Sequence, residues 1–194
     1  HLSDISTLSE EQISFFDHRQ NRLHETEIKV HSSRERELRK EIVDIVRRAC
    51  DRFLMISTEG VVSARVDDRS FLITPTGMGR RSFELQDIVL IRNGKREKGK
   101  NPSRSVLLHS SIYEQNKDIN CIITSQAPNA MAYAISDHKL DTRTIPESHV
   151  VLKDIQMMPY GKQYKEPEKV AAIISKNNPV LLIQNDCILV AGHS

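Results

Sequence analysis

The sequence predicts an α/β protein in which helices pack on a mixed β-sheet, and three observations indicate this. Apolar residues recur at spacings of three and four after Ser33, which is typical of an amphipathic helix. After Met55 the apolar residues alternate, and turn residues at Asp67–Arg69 and Asn93–Gly94 predict β-hairpins. Helical and strand patterns then alternate along the rest of the chain. Alternating helices and strands with inserted hairpins indicate an α/β sandwich.

The first 33 residues differ from the rest of the chain because they are highly charged and only mildly amphipathic. Ser9 and Gln12 have the spacing of a capping box, so we predict one helix, or two short ones, from Ser9 to about Val30. We interpret residues 1–33 as a helical N-terminal extension and residues 34–194 as one domain. The abrupt end of the sequence is what a fragment of a longer protein would show.

The domain is expected to begin with a helix that Ser33 caps. Its apolar stripe comprises Leu38, Ile42, Ile45, Val46, Ala49, Phe53 and Leu54. The predicted strands lie in Val61–Pro75 (a hairpin), Ile88–Ile91, Cys121–Thr124, His149–Tyr160 (one or two strands) and Pro179–Gly192 (two strands). The other predicted helices lie in Ser103–Asn116, Asn129–Ser136 and Glu166–Asn177, with Pro167 in the first turn of the last one.

Composition excludes several classes of protein. The chain has 28 basic and 26 acidic residues, and this near balance argues against a dedicated nucleic-acid-binding protein. Its three cysteines are far apart and form no CxxC pair, which favours a reduced, cytoplasmic protein over a disulfide scaffold. No apolar run reaches the roughly 18 residues that a membrane span needs. We therefore expect a cytoplasmic protein with no membrane span.

Six short motifs follow one another along the domain. They are Ser57–Val66, Leu72–Met78, Gly99–His109, Ile119–Ile135, Met157–Gly161 and Leu181–Gly192. Their order and spacing resemble the class II aldolase/adducin family over about residues 36–192. That family includes fuculose-phosphate and rhamnulose-phosphate aldolases, ribulose-phosphate epimerase and the adducin head domain. The resemblance implies a class II aldolase-like fold, a three-layer α/β/α sandwich on a mixed, largely antiparallel central sheet. It also implies a homo-oligomer, a ring-shaped tetramer with sites between subunits.

The resemblance also implies a chemistry. Enzymes of the family hold zinc through three histidines, two from a His-x-His at a strand end and one from an Asn-His-Gly. A glutamate in a Pro-Ser-Ser-Glu turn takes and gives the proton. Cleaving a carbon–carbon bond beside a carbonyl leaves an enediolate, whose charge a divalent ion neutralises as a Lewis acid. Imidazoles suit zinc, and a nearby carboxylate can carry the proton.

This sequence departs from the family at each of those positions. Thr124 and Gln126 stand where the His-x-His would be, Asp186 stands where the third histidine would be, and Ser105 replaces the glutamate. A hydroxyl, an amide and one carboxylate are a weak zinc site, and a serine without an adjacent base is a poor proton carrier. We therefore expect no metal cofactor and no metal-dependent catalysis. The alternative is an active sugar-phosphate aldolase or epimerase with a remodelled zinc site, completed by unrecognised residues or by a carboxylate from a neighbouring subunit.

The family's phosphate-binding positions are better preserved. The matching residues are Thr58, Gly60, Thr76, Gly77 and Ser103. Arg104 replaces a serine and adds a cation with the fork geometry that binds phosphate. These residues predict a pocket for a phosphorylated sugar or another anion. The other interpretation stays open, since hydroxyl residues and glycines also serve turns.

The function predicted from these features is that of a binding or assembly module, like the non-enzymatic adducin branch of the family. Its expected partners are a small phosphorylated metabolite and further copies of itself. A scaffold domain within a larger enzyme is a third possibility. His109, at a position where the family often has histidine, is expected to pack or cap rather than bind metal.

Overall fold

The protein is described by a computed structural model that covers residues 23–28, 30–136 and 138–193. The strands are β1 (Glu25–Thr26), β2 (Val61–Asp67), β3 (Ser70–Ile73), β4 (Val89–Arg92), β5 (Lys95–Glu97), β6 (Cys121–Ser125), β7 (Gln156–Met158), β8 (Val180–Ile183) and β9 (Cys187–Gly192). Within the described residues they form one sheet in the order β1-β5-β4-β3-β2-β6-β9-β8-β7. The edge pairs β1–β5 and β7–β8 are parallel, and the other neighbouring strands are antiparallel. The prediction of a mixed, largely antiparallel sheet is confirmed.

The helices are α1 (Ser33–Asp51), α2 (Val106–Gln115), α3 (Pro128–Ala134), α4 (Pro146–Leu152), α5 (Lys162–Lys165) and α6 (Pro167–Ala171). Two single turns of 3₁₀ helix lie at Leu85–Asp87 and Thr142–Thr144. Among the described residues, no helix is both long enough and apolar enough to cross a membrane.

The sheet has an apolar core on each face. On one face, α1 packs through Leu38 and Ile42 in a cluster that includes Leu72 of β3. On the other face, α2 and α6 share a cluster with Phe71 and Ile73 of the same strand. Successive residues of a strand point to opposite faces, so the unbroken apolar run of β3 serves both cores. The predicted three-layer α/β/α sandwich is therefore confirmed.

Both ends of α1 differ slightly from the prediction. Ser32 rather than Ser33 is the N-cap, because its extended backbone lets its Oγ accept a hydrogen bond from the Glu35 N–H at 3.1 Å. The helix ends at Asp51, and Phe53 has a left-handed φ of 58°. Phe53 and Leu54 therefore leave the apolar stripe and are exposed, with 70% and 41% of their surface accessible.

The predicted helix from Ser9 to about Val30 is wrong in the part that the structure describes. Residues 25–26 form the edge strand β1, which pairs with Arg96 and Glu97 of β5. Ion pairs from Glu25 to Arg96 (2.9 Å) and from Lys98 to Glu27 (2.8 Å) accompany this pairing. Contacts with a strand distant in sequence therefore override the local helical pattern. The capping box at Ser9 lies outside the described residues.

The segment His149–Tyr160 was predicted to hold one or two strands, and its first part is helical instead. His149 lies in α4, and the segment's one strand is β7. Pro146 occupies the first turn of α4, where proline favours helix initiation. Val150 and Val151, which suggested a strand, are exposed and have no sheet partner beside them. Tertiary context decides their conformation, since β-propensity reflects packing on a sheet.

Candidate functional site

The candidate site lies at one end of the sheet, where three strand termini meet. Val61 at the start of β2 pairs with Thr124 near the end of β6, and Thr124 pairs with Leu189 of β9. Because these strands are antiparallel, the loop that precedes β2, the loop that follows β6 and the loop that precedes β9 emerge on the same side. Residues distant in sequence are therefore neighbours here.

A cavity of about 360 Å³ opens at this end of the sheet. Its walls include every predicted site residue: Thr58, Gly60, Thr76, Gly77, Ser103, Arg104, Ser105, Thr124, Gln126 and Asp186. The hydroxyl and glycine turns form one part of the wall, and the strand ends at Thr124 and Asp186 form another. The structure thus brings the residues together, while their roles stay predictions.

Two of the cavity turns depend on left-handed glycines. Gly60 has φ +88° and Gly77 has φ +69°, a region that residues with a Cβ rarely adopt. A Cβ on Gly60 would also lie 2.7 Å from Cγ of Met55, closer than such atoms pack. Backbone hydrogen bonds fix the second turn, since the Thr76 N–H donates to the Asn101 carbonyl at 3.1 Å. Both turns are therefore well defined before any ligand binds.

The third turn leads into α2. Ser105 is the N-cap of α2, and its backbone N–H donates to Oγ of Ser103 at 3.3 Å. The Ser105 side chain caps no N–H group of the helix. The start of α2 therefore borders the cavity, and a helix N-terminus carries partial positive charge from its unpaired N–H groups.

Arg104 is held against an aromatic ring at the cavity wall. Its guanidinium carbon lies 4.5 Å from the centre of the Tyr164 ring, which also lines the cavity. Burial, and then the nearby Asp186 carboxylate, raise the pKa of Tyr164 to about 12, so its phenol is neutral at pH 7. This cation–π contact restricts the arginine and keeps its charge beside the cavity.

Asp186 and Gln126 form a polar cluster on the strand-end wall. Oδ2 of Asp186 accepts a hydrogen bond from Nε2 of Gln163 at 2.7 Å. Burial raises the pKa of Asp186, and the hydrogen bond from Gln163 opposes that shift. Nε2 of Gln126 lies 3.4 Å from the Asp186 backbone oxygen, while Oε1 of Gln126 is buried without a hydrogen-bond partner in the described part of the chain. Oε1 of Gln126 is therefore a buried acceptor that the described residues leave unpaired.

Cys187 follows Asp186 and is buried. Burial, and then the Asp186 carboxylate, raise the pKa of its thiol well above the ordinary value. The thiolate is the reactive form of cysteine, so this thiol is a poor nucleophile.

His109 belongs to the core rather than to the cavity wall. Its ring is fully buried, with Nδ1 2.7 Å from Oγ of Ser63, and that hydroxyl lies 2.8 Å from the Tyr113 hydroxyl. Burial lowers the pKa of His109 to about 3, so the ring is neutral. The expectation that His109 packs is confirmed.

The residues at the cavity do not fit a zinc ion. Thr124 offers a hydroxyl, Gln126 an amide, and Asp186 one carboxylate that is already hydrogen-bonded to Gln163. Glu59 and Cys187 also line the cavity, but the raised pKa of the Cys187 thiol keeps it protonated. Zinc in proteins is held by imidazole, thiolate and carboxylate groups. Within residues 23–28, 30–136 and 138–193, no cluster of three or more histidine, cysteine, aspartate or glutamate side chains could hold a metal.

The sequence-based prediction missed several polar residues at the site. Glu59, Arg80 and Tyr164 line the cavity, and Gln163 bonds to Asp186 from behind it. Glu59 lies between two predicted residues, so its neighbours were a usable signal. The others reach the site through tertiary contacts that no local pattern marks.

Comparisons with known proteins agree with this fold. Residues 40–194 match the family described as Class II Aldolase and Adducin N-terminal domain. The chain is 30% identical over 155 residues to L-fuculose phosphate aldolase of Escherichia coli (strain K12), covering 76% of this chain and 69% of that protein. It is 32% identical over 145 residues to L-fuculose phosphate aldolase of Methanococcus maripaludis (strain C7), covering 70% of this chain and 78% of the relative.

A solved structure shares the fold. The YgbL protein of Klebsiella pneumoniae superimposes with a TM-score of 0.74 at 22% identity, covering 82% of this chain and 80% of that one. The match over residues 40–194, together with the relatives and the shared fold, establishes that the chain belongs to the class II aldolase and adducin N-terminal domain family.

Proposed function

We propose that the cavity binds a small phosphorylated metabolite and that the protein does not carry out the metal-dependent carbon–carbon cleavage of its aldolase relatives. The observation that carries this proposal is the composition of the cavity wall. Hydroxyl residues, left-handed glycines and Arg104 line one part, beside the Glu59 carboxylate, and the strand-end part has too few metal ligands to hold zinc. On this proposal, the metabolite binds without a metal ion and is not cleaved.

The anion-binding part of the proposal is supported by three features of the cavity wall. Thr58, Thr76 and Ser103 contribute hydroxyls, Arg104 contributes a cation, and Ser105 places the positive end of the α2 dipole beside the cavity. A phosphate group accepts hydrogen bonds from hydroxyls and from a guanidinium, which can bind two of its oxygens at once, and a helix dipole attracts its charge. The contact of Arg104 with the Tyr164 ring already restricts the arginine side chain, so less conformational entropy is lost when a ligand binds.

The loss of metal-dependent chemistry is supported by the strand-end wall. The resemblance assigns the family's zinc positions to Thr124, Gln126 and Asp186, of which only the Asp186 carboxylate is a usual zinc ligand. It assigns the proton-transfer position to Ser105. No histidine or carboxylate is hydrogen-bonded to the Ser105 hydroxyl among the described residues, so the hydroxyl has no base to activate it.

An active sugar-phosphate aldolase or epimerase is the second candidate function. It is favoured by the 30% and 32% sequence identity to two L-fuculose phosphate aldolases. In that case the Asp186 carboxylate would belong to a remodelled centre with groups from a neighbouring copy. The predicted homo-oligomer would then be required for activity, and mass measurement in solution tests it.

The test compares a phosphorylated triose with the same triose lacking phosphate, using calorimetric titration of the chelator-treated protein. We expect the phosphorylated triose to bind and the neutral triose not to bind, because the hydroxyl turns and Arg104 recognise the phosphate. Equal binding of both trioses, or of neither, would refute the binding proposal.

A second measurement separates the two candidate functions. The protein is incubated with zinc and the phosphorylated sugar, and cleavage products are followed with and without chelator. We expect no turnover in either sample. Turnover that chelator abolishes, and that Asp186→Asn abolishes too, would establish the aldolase alternative.

A further inference from the structure

Arg80 is a buried cation that joins two of the cavity turns. Its Nε donates to the Gly60 carbonyl at 2.7 Å, and its Nη1 donates to the carbonyls of Pro75 at 3.0 Å and Met78 at 3.2 Å. Its backbone N–H also donates to the Ser57 carbonyl at 2.8 Å. One residue therefore fixes the turn before β2 relative to the turn after β3.

A guanidinium suits this position better than any other side chain. The carbonyls of Gly60 and Pro75 lie beside left-handed glycine turns, and a buried carbonyl needs a hydrogen-bond partner. A guanidinium presents five donors in one rigid plane, so a single group reaches several carbonyls at fixed angles. A lysine ammonium is a compact point charge and cannot reproduce that planar fork.

Arg80 also places a positive charge in the cavity wall. Only 3% of its surface is exposed, and it forms no ion pair with a carboxylate in the described part of the chain. Burial lowers its pKa and the neighbouring Glu59 raises it, but a guanidinium stays protonated in proteins. Carbonyl dipoles only partly compensate a buried charge, so an anion in the cavity would be attracted to it.

We propose that Arg80 is a positioning residue for the bound anion: it sets the spacing of the Gly60 and Gly77 turns, and its charge increases the affinity of the cavity for a phosphate group. This inference rests on the proposed function of the cavity. It adds a determinant of affinity that lies outside the residues matched to the family's phosphate motifs.

Arg81 is a matched control, because it is the next residue and carries the same side chain. Its Nη1 pairs with Oδ1 of Asp51 at 2.7 Å on the protein surface, and its Nη2 donates to the Cys50 carbonyl at 3.0 Å. It does not line the cavity. Arg81→Lys therefore makes the same side-chain exchange as Arg80→Lys, one residue along the chain and outside the cavity wall.

The test uses inorganic phosphate as the probe and measures its Kd by calorimetric titration for wild type, Arg80→Lys, Arg80→Gln and Arg81→Lys. We expect phosphate to bind about tenfold or more weakly to both Arg80 variants, because charge-assisted contacts of this kind are lost or misplaced. Arg81→Lys should bind within about twofold of wild type, as expected for an exposed pair. If Arg80→Gln does not fold, Arg80→Lys carries the comparison.

Chemical rescue separates a positioning role from a general loss of structure. Adding low concentrations of guanidinium to Arg80→Ala should restore phosphate binding, whereas sodium at the same ionic strength should not. Unchanged phosphate affinity in Arg80→Lys and Arg80→Gln would overturn the inference.

Amide hydrogen exchange tests the positioning role of Arg80 separately from the proposed binding function. If wild type binds no phosphate, the proposed function fails, and the positioning role is then judged by amide exchange in residues 57–60 and 75–79. Faster exchange there in Arg80→Lys, but not in Arg81→Lys, would support the positioning role. Unchanged exchange would refute it.

Discussion

Replacing Arg104 by glutamine tests the anion-binding account most informatively. The substitution removes the charge and keeps a planar polar side chain of similar width. Arg104 is half-buried and its guanidinium lies 4.5 Å from the centre of the Tyr164 ring, so the charge is held in place but remains in contact with water. A hydrogen bond to a charged group contributes about 1.5 to 3 kcal/mol, and partial exposure favours the lower end of that range.

A loss of about 1.5 to 2 kcal/mol corresponds to a Kd for the phosphorylated triose about 10- to 30-fold higher in Arg104→Gln. Calorimetric titration measures that difference, and thermal unfolding shows whether the fold is intact. Arg143→Gln is the control, because Arg143 pairs with Asp154 at an exposed site and does not line the cavity. Equal affinities for wild type and Arg104→Gln, or an equal loss in Arg143→Gln, would refute the reasoning.

Three further predictions concern single residues. Gly60→Ala should lower the free energy of unfolding, measured by urea titration, by about 2 to 4 kcal/mol, because the left-handed φ and the overlap with Met55 both add strain. Gly94 also has a left-handed φ but has open space around it, so Gly94→Ala should lower the free energy of unfolding by only about 1 to 2 kcal/mol. The pKa of His109 is about 3 in the folded protein against 6.5 normally, so the stability due to its neutral ring is present above pH 6.5 and is lost as the pH falls toward 3. The free energy of unfolding of wild type should therefore fall more steeply than that of His109→Gln between about pH 6 and pH 4, by up to about 1.4 kcal/mol per pH unit, and parallel slopes would contradict this. Cys187 should resist a thiol reagent in the native protein and react in urea, and rapid native labelling at that residue would contradict its burial and its raised pKa.

The sequence was sufficient to predict secondary structure where the local residue pattern and the tertiary contacts favour the same conformation. The hairpin of β2 and β3 follows from alternation and from turn residues at Asp67–Arg69, and α2 follows from its apolar spacing. The residues of the candidate site could be predicted because the motifs that contain them lie where strands end or helices begin. The antiparallel order of β2, β6 and β9 brings those ends together.

The rest was decided by contacts that the local sequence does not encode. Residues of β1 have a helical charge pattern, yet they complete the sheet edge beside β5. Arg80 bonds to a carbonyl 20 residues earlier, and Gln163 bonds to a carboxylate 23 residues later. Neither contact leaves a periodic or compositional signal in the sequence, so both become evident only in the folded structure.

The most direct test of the central claim is the zinc content of the purified protein after equilibration with zinc, measured together with triose phosphate binding on the same sample. We predict that zinc stays substoichiometric and that binding is unchanged by chelator. One tightly held zinc per chain, lost in Asp186→Asn and required for binding, would contradict the claim.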